Sequence, residues 1–126
     1  MRIYEAMAEA VGSLHVPVVF GLMGDGNLRF VTHLVDKVGV DYVGARHENA
    51  AVAMADGFAR ASDGLGVVIS STGPGAANAV GGLVEARIAA TPVLHITSQT
   101  FTRLIDRDTG AVHDAADQSG MLKSVS

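Results

Sequence analysis

The sequence predicts an α/β domain of three layers, with helices on both faces of a central parallel sheet. Short apolar runs alternate with helix-length segments in the order α-β-α-β-α-β-α-β. Each apolar run is followed by polar or glycine-rich residues, as expected where strands of a parallel sheet open toward a ligand. The chain has 126 residues, 48% of them hydrophobic, enough for one domain with one core.

Ile3, Met7, Val11 and Leu14 recur at helical spacing and predict an opening amphipathic helix that Pro17 ends. Val18-Val19-Phe20 follows as a buried strand, and Gly21, Gly24 and Gly26 make a flexible turn. Leu28, Val31, Leu34 or Val35, and Val38 mark a second helix closed by Gly39. Val40 to Gly44 is the second strand and Asn49 to Ala61 an alanine-rich third helix. Val67-Val68-Ile69 is the third strand, Gly75 to Ala90 the fourth helix, and Val93 to Ile96, after Pro92, the fourth strand. Residues 100 to 117 carry Arg103, Asp106, Arg107, Asp108 and Asp114 without periodicity and read as a surface loop. Met121 to Ser126 begins a new apolar segment, so the domain is expected to be incomplete at its carboxyl end.

Composition excludes several classes of function. The net charge of −4 and the absence of a basic face argue against a nucleic-acid partner. With no cysteine there is no disulfide framework, thiolate nucleophile or cysteine zinc site. Glu5 and Glu9 interrupt the stretch a signal peptide needs, and no apolar run approaches the ~20 residues that span a bilayer. A soluble cytoplasmic protein is expected, with no membrane partner.

Four segments fall at the carboxyl ends of the predicted strands: residues 21–27, 46–49, 70–78 and 97–100. Glu48 lies at or near a helix N-terminus, where a carboxylate gains ~0.3–1 kcal/mol from the helix dipole. A chemical role would instead need an apolar pocket that keeps it protonated. Ser70 to Gly75 is either a tight turn or a backbone cradle for a ligand, since neither a P-loop nor G-x-G-x-x-G is present. Gly24-Asp25-Gly26 reads as a glycine turn, because the asparagine pair that would accompany a GDG metal motif is missing. The histidines at 15, 33, 47, 95 and 113 show no metal-ligand spacing, and His95, in a predicted strand, reads as a satisfied core residue. Ala51, Ala55 and Ala59 form a stripe of small residues suited either to a core face or to close approach of another helix.

Arg46-His47-Glu48, Ala51, Ala55-Asp56-Gly57 and Ala59-Arg60-Ala61 resemble the R-H-E-x-x-A-x-x-x-A-D-G-x-A-R-A stretch of thiamine-diphosphate-dependent enzymes. Ser71-Thr72-Gly73-Pro74-Gly75-Ala76 with Asn78 is similar to the S-G-P-G-A-x-N turn of that family, Phe20-Gly21 with Gly24 to its first glycine turn, and Ile96-Thr97-Ser98-Gln99 to its I-T-G-Q strand end. The family includes acetolactate synthase, benzoylformate decarboxylase and pyruvate oxidase, and the likeness runs in order from residue 1 to about 123. It implies the thiamine-diphosphate-binding fold and, for this chain, its amino-terminal pyrimidine-binding domain. It also implies chemistry on 2-oxo acids.

By the same resemblance, Glu48 hydrogen-bonds the pyrimidine ring and activates the cofactor to its ylid. Gly21, Gly24, Pro74 and Asn78 bind cofactor or leave room at its reactive face, while Gln99 and His113 face substrate. Thiamine diphosphate is the implied cofactor, with Mg2+ held by a diphosphate-binding domain of the same or a neighbouring chain, and FAD compatible with the family. A homodimer or homotetramer is the implied assembly. Ala111-Val112-His113-Asp114 departs from the A-F-Q-E of acetolactate synthases and, with Asp117-Gln118, is closer to an H-E-x-x-D-Q variant. A stand-alone subunit of a split decarboxylase, sulfopyruvate-decarboxylase-like, and a non-catalytic module of the same fold are the alternatives.

Overall fold

The computed structural model describes all 126 residues. Helix α1 (Ile3–Gly12) leads into β1 (Val18–Gly21). Then come α2 (Leu28–His33), continued by a π-helical turn (Leu34–Val38), and β2 (Asp41–Gly44). They are followed by α3 (Glu48–Ser62), β3 (Gly66–Ser70), α4 (Pro74–Ile88) and β4 (Val93–Thr97). A 3-10 turn (Thr102–Leu104) and a short helix, α5 (Gln118–Lys123), complete the chain. No helix is long and apolar enough to cross a membrane.

The strands form one parallel sheet in the order β2-β1-β3-β4. From β1 the chain steps outward to β2, then crosses back over β1 to reach β3. Reversing direction while keeping one hand of crossover sends the connecting helices to opposite faces. Accordingly Val19, Val67 and Ile69 pack with α1, α2 and the π-helical turn, whereas Phe20 and Val68 pack with Ala51, Val52 and Ala55 of α3 and Ala79 of α4. The expected three-layer α/β/α architecture is what forms. Its central strands are buried, while the edge strands β2 and β4 remain partly open.

Local departures from the sequence reading have physical reasons. Of the Ile3–Met7–Val11–Leu14 stripe, Val11 is buried, packing with Ala8 and the partly buried Tyr4, while Ile3 is 80% exposed. Ala8 is small enough to let the helix sit close, and that preference overrides the bulkier residues one position away. The helix also ends before Leu14: Ser13 caps α1, and the chain turns at His15, whose φ is +55°. The second helix widens into a π turn over its last five residues before Gly39, at φ +82°, ends it in the left-handed region.

The alanine stripe faces this domain's own core, since Ala51, Ala55 and Ala59 are buried against the sheet. Close helix approach is achieved instead by Gly82 of α4, where a Cβ would lie 2.8 Å from Val52 Cβ. Gly57, also inside a helix, has open space around it. Gly57→Ala is therefore expected to stabilise the domain by about 0.5–1 kcal/mol through helix propensity. Gly82→Ala should destabilise it by about 1–3 kcal/mol through overpacking. Urea denaturation of the two variants checks the opposite signs.

Candidate functional site

The topology places two crossover loops at the carboxyl edge of β1 and β3, where the strand order reverses and parallel sheets receive ligands. The first is the loop between β1 and α2. Gly24 N–H donates to Asn27 Oδ1 (2.9 Å) and Asn27 Nδ2 donates to the Leu22 carbonyl (3.1 Å), so buried Asn27 closes Gly24-Asp25-Gly26 as a compact turn. A Cβ at Gly24 would stand 2.8 Å from Ser71 Oγ, so this glycine is what lets the first loop lie against the second. Gly21 belongs to β1 itself, and a side chain there would collide with the Ile69 carbonyl. Strand packing alone therefore requires glycine at this position.

The second loop, Ser71–Gly73, runs from β3 into α4. Gly73 has φ +57° and ψ −109°, a combination open only to glycine, and a side chain on it would strike the His113 carbonyl. Pro74 occupies the first helical position of α4, where its missing N–H costs nothing. Thr97 Oγ1 at the end of β4 donates to the Ser71 carbonyl (2.8 Å) and ties the turn to the sheet.

Glu48 is the first residue of α3. His47 caps that helix, its Nδ1 accepting from Asn49 N–H (3.2 Å), which turns the chain sharply at the end of β2. Although charged by type, Glu48 is only 6% exposed. Its Oε2 accepts a hydrogen bond from Asn78 Nδ2 on the second turn of α4 (3.0 Å). Its Oε1 lies against the backbone of Gly75, where a Cβ would be 3.2 Å away, and takes no hydrogen bond within the chain. One carboxyl oxygen is thus fixed and the other left free, beside a backbone cradle with no side chain to fill it.

The structure brings together Glu48, Pro74, Gly75 and Asn78, with Ser71 as the link to Gly24. Gln99 and His113 sit beside this cluster, sharing Ser71 with it, and the His113 carbonyl packs on Gly73. They line a cavity of about 480 Å3 with Gly26, Ser71, Thr72 and Thr100. Gln99 is itself engaged, accepting from Thr100 N–H (2.8 Å) and, at 3.4 Å, from Thr72 Oγ1. Asp56 and Arg60 of the third-helix motif pair with each other across one turn of α3 (2.8 Å), and that hydrogen bond holds the Asp56 carboxyl below the usual carboxylate range. No group of three or more His, Asp or Glu side chains gathers at metal-binding distance. Sequence reasoning missed Gln118, which reaches the second loop from across the fold. Its only signal was its place in the Asp117-Gln118 pair.

Residues 1–121 match the family described as thiamine pyrophosphate enzyme, N-terminal TPP binding domain. The chain belongs to this family.

It is 42% identical over 108 residues to a probable acetolactate synthase large subunit of Methanocaldococcus jannaschii, covering 86% of this chain and 18% of that protein. It is 43% identical over 93 residues to the acetolactate synthase isozyme 3 large subunit of Escherichia coli, covering 74% of this chain and 16% of the relative. The chain therefore spans less than a fifth of the length of these relatives. Its fold matches, at a TM-score of 0.86 and 23% identity, the Rhodococcus jostii RHA1 thiamine diphosphate-dependent 4-hydroxybenzoylformate decarboxylase, over 99% of this chain and 23% of that one.

His95 on β4 meets Ser70 Oγ through Nε2 (2.8 Å), and burial pushes its pKa down to about 4. The folded domain thus favours neutral imidazole, as expected of a satisfied core histidine. A depressed histidine pKa means the unfolded chain binds the proton more readily. The contribution is fully present above about pH 6.5 and is lost as pH falls toward 4, by about 3 kcal/mol at most. Urea midpoints measured from pH 7 to pH 4 are expected to fall less steeply in His95→Gln, which cannot titrate, than in the parent chain.

Proposed function

We propose that this chain forms the half-site for the aminopyrimidine ring of thiamine diphosphate in an enzyme acting on 2-oxo acids, with Glu48 as the activating residue. The observation that carries this reading is the divided state of the Glu48 carboxyl group, with Oε2 held by Asn78 and Oε1 free beside Gly75. The residues present fit such a group. A heterocyclic nitrogen needs one hydrogen-bonding oxygen in a site sheltered from water, and a flat ring needs a neighbouring backbone without a side chain.

When bound, thiamine diphosphate supplies the electron sink for breaking or forming a bond at the carbonyl carbon of a 2-oxo acid. The chain's residues supply position and a proton site. Asn78 locks the rotamer of Glu48, so Oε1 is the atom at which a proton can be held or shared with a ring nitrogen. Pro74 and Gly75 keep the wall of the ring site thin and rigid, and Gly24 brings the first loop in without a side chain. Gln99 and His113 belong to the adjoining cavity, whose hydroxyl and amide groups suit a substrate carbonyl, with Asp25, Phe101 and Val112 completing its wall.

No group of three or more His, Asp or Glu side chains gathers here to hold Mg2+ with a diphosphate, so that role falls to a second domain, from the same polypeptide or a neighbouring subunit. A homodimer or homotetramer would complete the site. The reaction class follows the relatives: carboligation, as in the acetolactate synthases, or decarboxylation, as in the solved 4-hydroxybenzoylformate enzyme.

Glu48→Gln in the full-length protein keeps the shape of the side chain but not its acid. Turnover is expected to fall by at least about 100-fold, the scale of a lost acid-base group, with the far-ultraviolet circular dichroism unchanged. Near-normal turnover would refute the assigned role.

A further inference from the structure

Gln118 is the buried polar side chain with the most partners among groups that the proposed chemistry does not use. It begins α5 and is 5% exposed. Its Oε1 accepts from Gly73 N–H (2.7 Å) and from Thr72 Oγ1 (3.0 Å), while its Nε2 donates to the Ser98 carbonyl (2.9 Å). One planar amide therefore bridges the turn ahead of α4 and the loop that leaves β4, two segments distant in the chain. The turn needs such a bridge, because Gly73, with φ +57°, brings the backbone freedom of glycine to the point where α4 begins. The loop that carries Gln118 closes over Gly73 a second time, through the His113 carbonyl packed on its α-carbon.

We propose that Gln118 is a positioning residue. By fixing Thr72-Gly73-Pro74 it sets where the first two turns of α4 stand, and so holds Gly75 against Glu48 Oε1 and Asn78 on Oε2. It acts through the turn and touches neither Glu48 nor the ring site. The catalytic consequence rests on the function proposed above, whereas the mechanical claim about the turn stands on the hydrogen bonds alone.

Two variants of the full-length protein separate the claims. Gln118→Met keeps the side chain's length and removes all three bonds. Gln118→Asn keeps the amide but is one methylene shorter, so it cannot reach both Gly73 and the Ser98 carbonyl. Hydrogen exchange read by mass spectrometry without cofactor should show the segment around residues 71–77 exchanging about tenfold faster in Gln118→Met, the factor that corresponds to about 1.4 kcal/mol. Segments in α1 and β1 should be unchanged, and Gln118→Asn should lie between the parent and Gln118→Met at the turn.

Titration with thiamine diphosphate and Mg2+ should give a Kd about tenfold higher in Gln118→Met. A merely structural role would lower the active fraction and leave that Kd alone. Unchanged exchange at the turn, or faster exchange spread evenly over the domain, overturns the proposal. Should Gln118→Met fail to fold, Gln118→Asn decides: faster exchange confined to residues 71–77 supports the proposal, and unchanged exchange there overturns it. If the parent protein does not bind thiamine diphosphate, the functional reading falls, and the exchange measurement still decides the role of Gln118.

Discussion

The hydrogen bond from Asn78 to Glu48 joins the start of α3 to the start of α4, and the candidate site depends on it. A carboxyl group removed from water is costly unless it is hydrogen-bonded. Here the cost is offset from two directions. Asn78 supplies a direct partner, and the first turn of α3 supplies the favourable end of a helix dipole. Because Asn78 engages a single oxygen, the arrangement is stable and still leaves the group able to bond to something outside the chain.

The rest of the fold explains why those two helix ends meet. The order β2-β1-β3-β4 sends both the β2–β3 and β3–β4 connections across the same face of the sheet, so α3 and α4 lie side by side with their N-termini at one edge. Gly82 against Val52 and Gly81 against Asn49 bring the two helices close enough for an asparagine to reach a glutamate. Gly66 lets β3 pass directly under the Ala55 carbonyl of α3. Small residues at these positions turn a generic layered domain into one with a narrow interhelical seam.

Much of this was legible in the sequence. The alternation of short apolar runs and helical segments marked the elements, and the polar strand ends marked the edge where the site forms. The R-H-E and S-T-G-P-G stretches picked out Glu48, Pro74 and Asn78 by resemblance, although no spacing rule pairs residue 48 with residue 78. That contact depends on the crossing of two helices, a long-range property. Of the stripe expected on α1, Val11 packs into the core while Ile3 and Met7 lie open, because the helix is rotated to bring in the small Ala8. Gln118 escaped notice for the same reason as the Glu48–Asn78 pair: its partners are 20 to 46 residues away.

The central claim is that Glu48 Oε1 is held ready for a ring nitrogen while Asn78 secures the other oxygen. A crystal structure of the full-length protein with thiamine diphosphate and Mg2+ tests it most directly. The account predicts a pyrimidine nitrogen within hydrogen-bonding distance of Glu48 Oε1, with the Asn78 contact intact. A cofactor ring seated elsewhere, or a Glu48 side chain turned out to solvent, would contradict it.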